Sequence, residues 1–343
     1  MTDLTLADLG WSNFYMSQLE LDELDTTQPT RITAVHRAAV ATLSPTGTRD
    51  LILPQGISAG DVAVGDWVLA DPEEHRVIRR LDRQTSLSRG TEYHTTDRQL
   101  IAANLNTLFI TTSCNADFNV ARLERYLALA HDAEVTPVIL LTKADQSDDP
   151  ARYETDARAL GRDLDVIALD ATAGDVIATL APWCGSGQTV ALAGSSGVGK
   201  TTIANALTGG AAITQGIRED DARGRHTTTG RSLHRIPSGG WLIDTPGMRG
   251  LGVAEASAGI DATFPEISEL VDSCKFRDCA HETEPGCAVQ AALAAGDINA
   301  DRLQRYTKLK REDAHATQTI AQARARQKKF TKNVKSAMSK KKR

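Results

Sequence analysis

The run Gly194-Ser195-Ser196-Gly197-Val198-Gly199-Lys200-Thr201 has the spacing G-x-x-x-x-G-K-[ST], which suits the holding of a phosphate chain. Its glycines let successive backbone N–H groups face one anion, and a helix that follows adds the partial positive charge of its N-terminus. Lys200 then reaches the terminal phosphates, and the Thr201 hydroxyl sits at a Mg²⁺ ion, with Thr202 closing the contact run. A glycine turn with no ligand is the alternative. The flanks argue against it. Val190-Ala191-Leu192-Ala193 reads as a buried strand, and Ile203, Ala204, Ala206 and Leu207 as the apolar face of a helix. A nucleoside triphosphate is the implied ligand.

Which nucleoside is written in Thr142-Lys143-Ala144-Asp145, at the end of the apolar run Val138-Ile139-Leu140-Leu141. A carboxylate held after a strand can accept the N1–H and N2 amino hydrogens of guanine together. Adenine has no such donor pair, and it would leave the charge unpaired. The Lys143 stem can lie along the base. Alone the motif is weak, but beside a phosphate loop it selects GTP. The turn Asp170-Ala171-Thr172 could touch the guanine O6 through backbone N–H groups.

Further along, Gly224-Arg225-His226-Thr227-Thr228-Thr229 is a polar loop with glycines at its root, and the strand Trp241-Leu242-Ile243 delivers Asp244-Thr245-Pro246-Gly247. Asp244 suits the Mg²⁺ shell, the Gly247 N–H a γ-phosphate, and Thr229 a metal ligand made only when that phosphate is present. A turn plus a solvated loop explains either motif singly, but hardly both in this order. Met248 stands where Ras-like enzymes carry a water-orienting glutamine, and a thioether cannot orient water. A neutral imidazole can, which makes His226 the candidate catalytic group; its alternative is a contact to RNA or within the loop.

A different chemistry lies at Cys274, Cys279, His281 and Cys287. The spacing C-x4-C-x-H-x5-C gives three thiolates and one imidazole, a closed tetrahedral zinc set with a structural role. Three reduced cysteines in a small core are the alternative. Cys114 and Cys184 stand alone in apolar runs and read as inert core thiols.

The elements that must position these groups divide the 343 residues into several regions. Residues 1–30 read as a short helix in a mobile acidic lead. Over 31–92, short alternating runs at Ile32–Val35, Val40–Leu43, Leu51–Leu53, Asp66–Leu69 and Val77–Arg79 suit a small barrel of the oligonucleotide-binding (OB) kind. There Arg76, Arg79, Arg80, Arg83 and Arg89 form either an RNA-facing set or a solvated face. Residues 93–254 alternate strands with helices, the sign of a mainly parallel sheet. Asn119 is placed to cap a helix carrying Val120, Leu123, Leu127 and Ala130. The zinc region spans 255–300, and 301–343 is a helical tail whose last thirty residues hold ten Lys/Arg and no Asp/Glu. With a net charge of −5, the acidity belongs to the rest of the chain. No apolar run is long enough to span a bilayer, and the start is not signal-like. The expected fold is therefore multidomain α/β.

The motif order is unusual, because Thr142–Asp145 precedes Gly194–Thr201 where ordinary GTPases have the reverse. A sheet tolerates such circular permutation when the old termini are neighbours at the surface. On this order, and on Gly65–Val68 (GDWV), TKAD, GSSGVGKT, GRHTTT, DTPG and the zinc spacing, the chain resembles the ribosome small subunit-dependent GTPase A family. Thr142 replaces the more general Asn, and Asp170-Ala171 the usual Ser-Ala. The resemblance implies a monomeric cytoplasmic factor that binds the small ribosomal subunit and its rRNA late in assembly and hydrolyses GTP to GDP faster when docked. It also implies one structural zinc, Mg²⁺ with GTP, and a catalytic role for the histidine of GRHTTT, His226. A P-loop kinase or ATPase would share Gly194–Thr201 but have no use for Asp145. A ribosome-bound timer, with turnover incidental, would share every motif.

Overall fold

The computed structural model describes residues 4–89, 99–210, 231–244 and 252–317. The chain divides into two compact units, one of residues 1–88 with 100–250, the other of residues 89–99 with 251–343.

In the first unit the lead holds two single-turn helices, α1 (Asn13–Met16) and α2 (Glu23–Thr26). It is folded, where its acidity suggested a mobile segment. The reason is apolar: Leu9, Tyr15, Leu4, Leu6, Trp11 and Leu19 pack with Trp67, Leu69, Leu81 and Trp241. Polar ties add to this. Arg79 grips Glu23 with two bonds (2.7 and 2.6 Å) and donates to Gln18 O, and Trp241 Nε1 donates to Asp8 O (2.7 Å).

Each of the five alternating runs is a strand: β1 (Gln28–Val35), β2 (Ala39–Ser44), β3 (Gly47–Ile52), β4 (Trp67–Ala70) and β5 (Val77–Arg80). β1 pairs antiparallel with β2 and β4, β2 with β3, and β4 with β5. A parallel bridge between Ile52 and Arg76 joins the end of β3 to the start of β5, which completes a ring around Ile32, Val40, Leu51, Val68 and Val77. Of the arginines considered above, the side chain of Arg89 lies outside the description, and the other four are engaged within the fold. Arg83 forks onto the buried Asp66 (2.6 and 2.8 Å), Arg79 onto Glu23, and Arg76 onto Glu74 (2.9 Å). A carboxylate as buried as Asp66 has to be paired, and Arg83 is the partner within reach. Arg80 donates to Leu81 O.

β6 (Ser86–Arg89) and β7 (Gln99–Ala103) form a separate two-stranded sheet. The remaining elements are β8 (Thr107–Ser113), α3 (Val120–Asp132), β9 (Thr136–Thr142), α4 (Pro150–Arg158), β10 (Asp165–Leu169), α5 (Val176–Leu180), β11 (Thr189–Ala193), α6 (Lys200–Thr208), β12 (Ser232–Arg235) and β13 (Trp241–Asp244). Asn119 Oδ1 caps α3 by accepting from Arg122 N (2.9 Å), as the spacing predicts. β10, β9, β8, β11 and β13 are parallel neighbours in that order, and β12 is antiparallel to β13. Their faces are apolar, with Phe109, Val138, Leu140, Val190, Ile203 and Leu207 in one core cluster.

β12 also pairs with β1, at Ala34 and Ser232, so the ring and the parallel strands make one eleven-stranded sheet. The boundary expected near 92 lies outside the described residues. Gly65 (φ +94°) lies against β7: a Cβ there would stand 2.1 Å from Ala103 O. Arg31, fully buried, ties the lead, the ring and the parallel strands together. Its guanidinium donates to Leu9 O (2.6 Å), Gly65 O (3.4 Å), Asn104 O (3.3 Å) and Thr189 Oγ1 (2.8 Å). Desolvation lowers its pKa to about 10.

The second unit contains α7 (Ser257–Thr263), α8 (Pro265–Val271), α9 (Ala288–Ala295) and a helix over 300–317. Its core includes Ile260, Phe264, Ile267, Val289 and Leu303. Arg302 lies over the Phe264 ring at 4.7 Å and pairs with Glu266.

Candidate functional site

β8, β9 and β10 step outward to one side, and the chain then returns to the other side of β8 through β11. Open parallel sheets hold ligands at such a reversal, outside the carboxyl ends of the strands. Five loops or strand ends lie there: Cys114–Asn119 after β8, Thr142–Asp145 after β9, Asp170–Thr172 after β10, Gly194–Gly199 after β11, and Asp244 at the end of β13.

The glycines of Gly194–Gly199 are required by conformation and by space. Gly194 (φ +138°) passes so close to β8 that a Cβ would lie 2.1 Å from Thr111 O. Gly197 (φ +80°) and Gly199 (φ +96°) are also left-handed, and α6 begins at Lys200. Lys200 Nζ folds back over its own loop to donate to Gly194 O (2.7 Å) and Ser195 O. Thr201 and Thr202 are exposed in the first turn of α6, and Val198 is buried beneath the loop.

Thr142–Asp145 is built against this loop. Thr142 Oγ1 contacts Val198 O (2.7 Å) and Thr112 O (3.2 Å), and Lys143 Nζ donates to Gly197 O (2.9 Å). Lys143 itself is left-handed (φ +56°), which turns the chain out of β9 into the single 3₁₀ turn Ala144–Gln146. Asp145 is exposed on that turn. A Cβ on Gly199 would meet Thr142 Cγ2 at 3.6 Å and Ala171 Cβ at 3.7 Å, so the three loops form one assembly. In the turn after β10, Asp170 Oδ1 accepts from Thr172 N (2.8 Å), so that N–H is already engaged.

Some partners of the loop give no signal in the sequence. Ser195 Oγ donates to Asp117 Oδ2, whose carboxylate also pairs with Arg122 (2.9 Å). The Gly194 N–H bonds to the buried Tyr126 hydroxyl. A lone aspartate in a loop and a tyrosine on a helix are ordinary residues, and only the strand order places them here.

Asp244 is half-buried, and desolvation raises its pKa while the neighbouring His234 opposes the rise. Burial lowers the pKa of His234, whose Nε2 lies 2.8 Å from Ser232 Oγ. His226, Thr229, Gly247 and Met248 lie outside the described residues.

In the second unit, Cys274, Cys279, His281 and Cys287 bring their donor atoms within 4.8 Å of one another. Cys274 Sγ and Cys287 Sγ are 3.9 Å apart, and each lies 3.6 Å from His281 Nδ1. A tetrahedral ion with Zn–S and Zn–N bonds of ordinary length requires edges of about 3.8 and 3.5 Å. The donor set fits zinc. Glu284 holds the intervening loop, its carboxylate accepting from the N–H groups of Ala280, Glu282 and Thr283 (2.8, 2.9 and 3.0 Å). The Cys287 sulfur caps α9 by accepting from Gln290 N (3.4 Å). Cys114 and Cys184 are buried elsewhere, and desolvation raises both thiols, Cys184 to about 12.

Residues 80–254 match the family model described as RsgA GTPase. The chain is 56% identical over 317 residues to "Small ribosomal subunit biogenesis GTPase RsgA" of Mesorhizobium japonicum, covering 91% of each protein. It is 47% identical to "Small ribosomal subunit biogenesis GTPase RsgA 2" of Vibrio vulnificus, over 96% of this chain and 93% of that one. Among solved structures, YjeQ from Thermotoga maritima aligns with a TM-score of 0.61 at 22% identity, over 82% of this chain and 97% of that one. YloQ, described as a circularly permuted GTPase, aligns at 0.59 and 22%, over 83% and 96%.

Proposed function

Since the chain belongs to the RsgA GTPase family and is a GTP hydrolase, we propose that it binds the small ribosomal subunit and its rRNA and assists late assembly, with hydrolysis stimulated by the subunit and linked to release. The observation that carries the nucleotide reading is the joint assembly of Gly194–Thr202 with Thr142–Asp145 at the reversal of strand order. In this reading Asp145 selects guanine, the N–H groups of Gly194–Gly199 and Lys200 hold the phosphates, the Gly247 N–H meets the γ-phosphate, and Asp244 holds the Mg²⁺ shell. Thr201 and Thr229 would hold Mg²⁺, which screens charge on the phosphates.

His226 orients the attacking water. Intrinsic turnover is then slow, and the docked subunit stimulates it through the histidine. His226→Ala should keep GTP affinity and subunit binding but lose stimulated turnover by about 10²-fold or more.

Residues 31–92 are assigned to an OB-type barrel, a reading supported by the ring of pairings β1-β2-β3-β5-β4. Residues 93–254 are assigned to the permuted GTPase domain, 255–300 to a domain around one structural zinc, and 301–343 to a basic tail, helical up to 317, that contacts RNA. Among the described residues no helix is long and apolar enough to cross a membrane. We take the protein to be a cytoplasmic monomer between rounds of subunit binding.

The deciding experiment compares GTP hydrolysis with and without purified small ribosomal subunits. A rate unchanged by subunits, with no co-sedimentation, would exclude this function and leave a free-standing GTPase.

A further inference from the structure

The lead exposes four large apolar side chains. Leu21 is 86% exposed, and Phe14, Met16 and Leu24 lie between 39 and 50%. Single exposed apolar residues are common on any surface and need no explanation. These four fall within Phe14–Leu24, on a segment whose other apolar side chains are all packed against the ring and the parallel strands. The segment is also fastened from below, by Arg79 to Glu23 and to Gln18 O, and by Gln18 Oε1 to Asp82 N (2.7 Å). Their exposure is therefore not that of a loose end. The fold holds these groups outward at a fixed cost in hydration.

The charged side chains of residues 4–30 are all acidic. Glu20, Asp22 and Asp25 are exposed on the same segment, and Asp82 is fastened to it through Gln18. The adjacent cation, Arg79, is engaged by Glu23 and sits in the field of Glu20 and Asp82 as well. A polyphosphate backbone would be repelled here. A protein that binds RNA is not, because it must itself carry Lys and Arg to neutralise phosphates. Apolar anchors supply affinity in such contacts, and the surrounding charge sets approach and register.

We propose that the lead surface bearing Phe14, Met16, Leu21 and Leu24 docks a Lys/Arg-rich segment of a protein of the small ribosomal subunit, through apolar side chains of that segment, and does not contact rRNA. This rests on the function proposed above and adds to it the class of partner met by this face.

The test uses the full-length protein with Leu21 replaced by a photo-crosslinking phenylalanine, irradiated on purified small subunits and analysed by mass spectrometry. The expected product is a crosslink to a ribosomal protein at a peptide flanked by Lys or Arg. A crosslink to rRNA, to the chain's own basic tail, or to nothing while the protein co-sediments with subunits, overturns the docking surface and leaves the proposed function standing. Failure of the unsubstituted protein to bind subunits overturns that function and this surface with it.

A second arm measures affinity for subunits. Leu21→Ser combined with Leu24→Ser should weaken binding at least about tenfold, and Asp22→Lys combined with Asp25→Lys should weaken it and flatten its dependence on salt. Both pairs are exposed, so melting temperature should not move. Unaltered affinity in both variants overturns the proposal.

Discussion

The two candidate sites are built in opposite ways. All four donors of the Cys/His cluster come from one stretch, Cys274–Cys287, and the loop between them is held by its own Glu284. The nucleotide cradle is drawn from strand ends between Thr111 and Asp244, and its loops lean on one another and on the sheet as well as on their own bonds. Gly194 rests on β8, Val198 on Thr142, and Ser195 on Asp117. The contrast shows where each site keeps its order. A local site can borrow stability from an ion, whereas a dispersed one must be pre-formed by the sheet beneath it.

If that contrast is right, metal removal gives the largest effect. Structural zinc contributes on the order of 10 kcal/mol of apparent binding energy to small domains. Native protein should carry about one zinc, from the four-ligand set. Chelation, or Cys279→Ser, should abolish it and lose helical signal from 255–317, with GTP affinity unchanged. A simultaneous loss of GTP binding would show that the two sites are not independent.

Next is Gly194→Ala. The added Cβ has only backbone, Thr111 O, to displace, so a cost of about 4 kcal/mol or more is expected, with GTP binding lost. Calorimetric titration and thermal melting would check it. Normal GTP affinity would mean that β8 does not fix the loop.

Asp145→Asn should be milder, because it changes a group exposed on a finished turn. GTP affinity should fall by about 2–3 kcal/mol, and xanthosine triphosphate, whose C2 oxygen an amide can meet, should gain. A competition assay showing unaltered preference would remove Asp145 from base recognition.

Ser195→Ala tests the weakest link. One hydrogen bond to a half-exposed carboxylate is lost, at about 1 kcal/mol, or roughly fivefold in GTP affinity, with base preference intact. An effect as large as that of Gly194→Ala would mean that Asp117 and Arg122 do more than brace the loop.

The sequence by itself determined the local parts. Glycine spacing, the T-K-A-D ending, the Asn119 cap, the apolar strands and the Cys/His set are decided by neighbours along the chain, and neighbours are what a sequence displays. Even the permuted order is visible there. Tertiary structure alone decided what each part leans on. Asp117 and Tyr126 reach the phosphate-type loop because the strand order places β8 beside β11. Arg83 and Arg79 look like a basic face in the sequence, but each turns to a carboxylate that folding brings close. The acidic lead looks mobile until Trp67 and Trp241 are seen to bury its apolar side. Charge and hydropathy along a chain say what each group needs, and only folding decides which distant group supplies it.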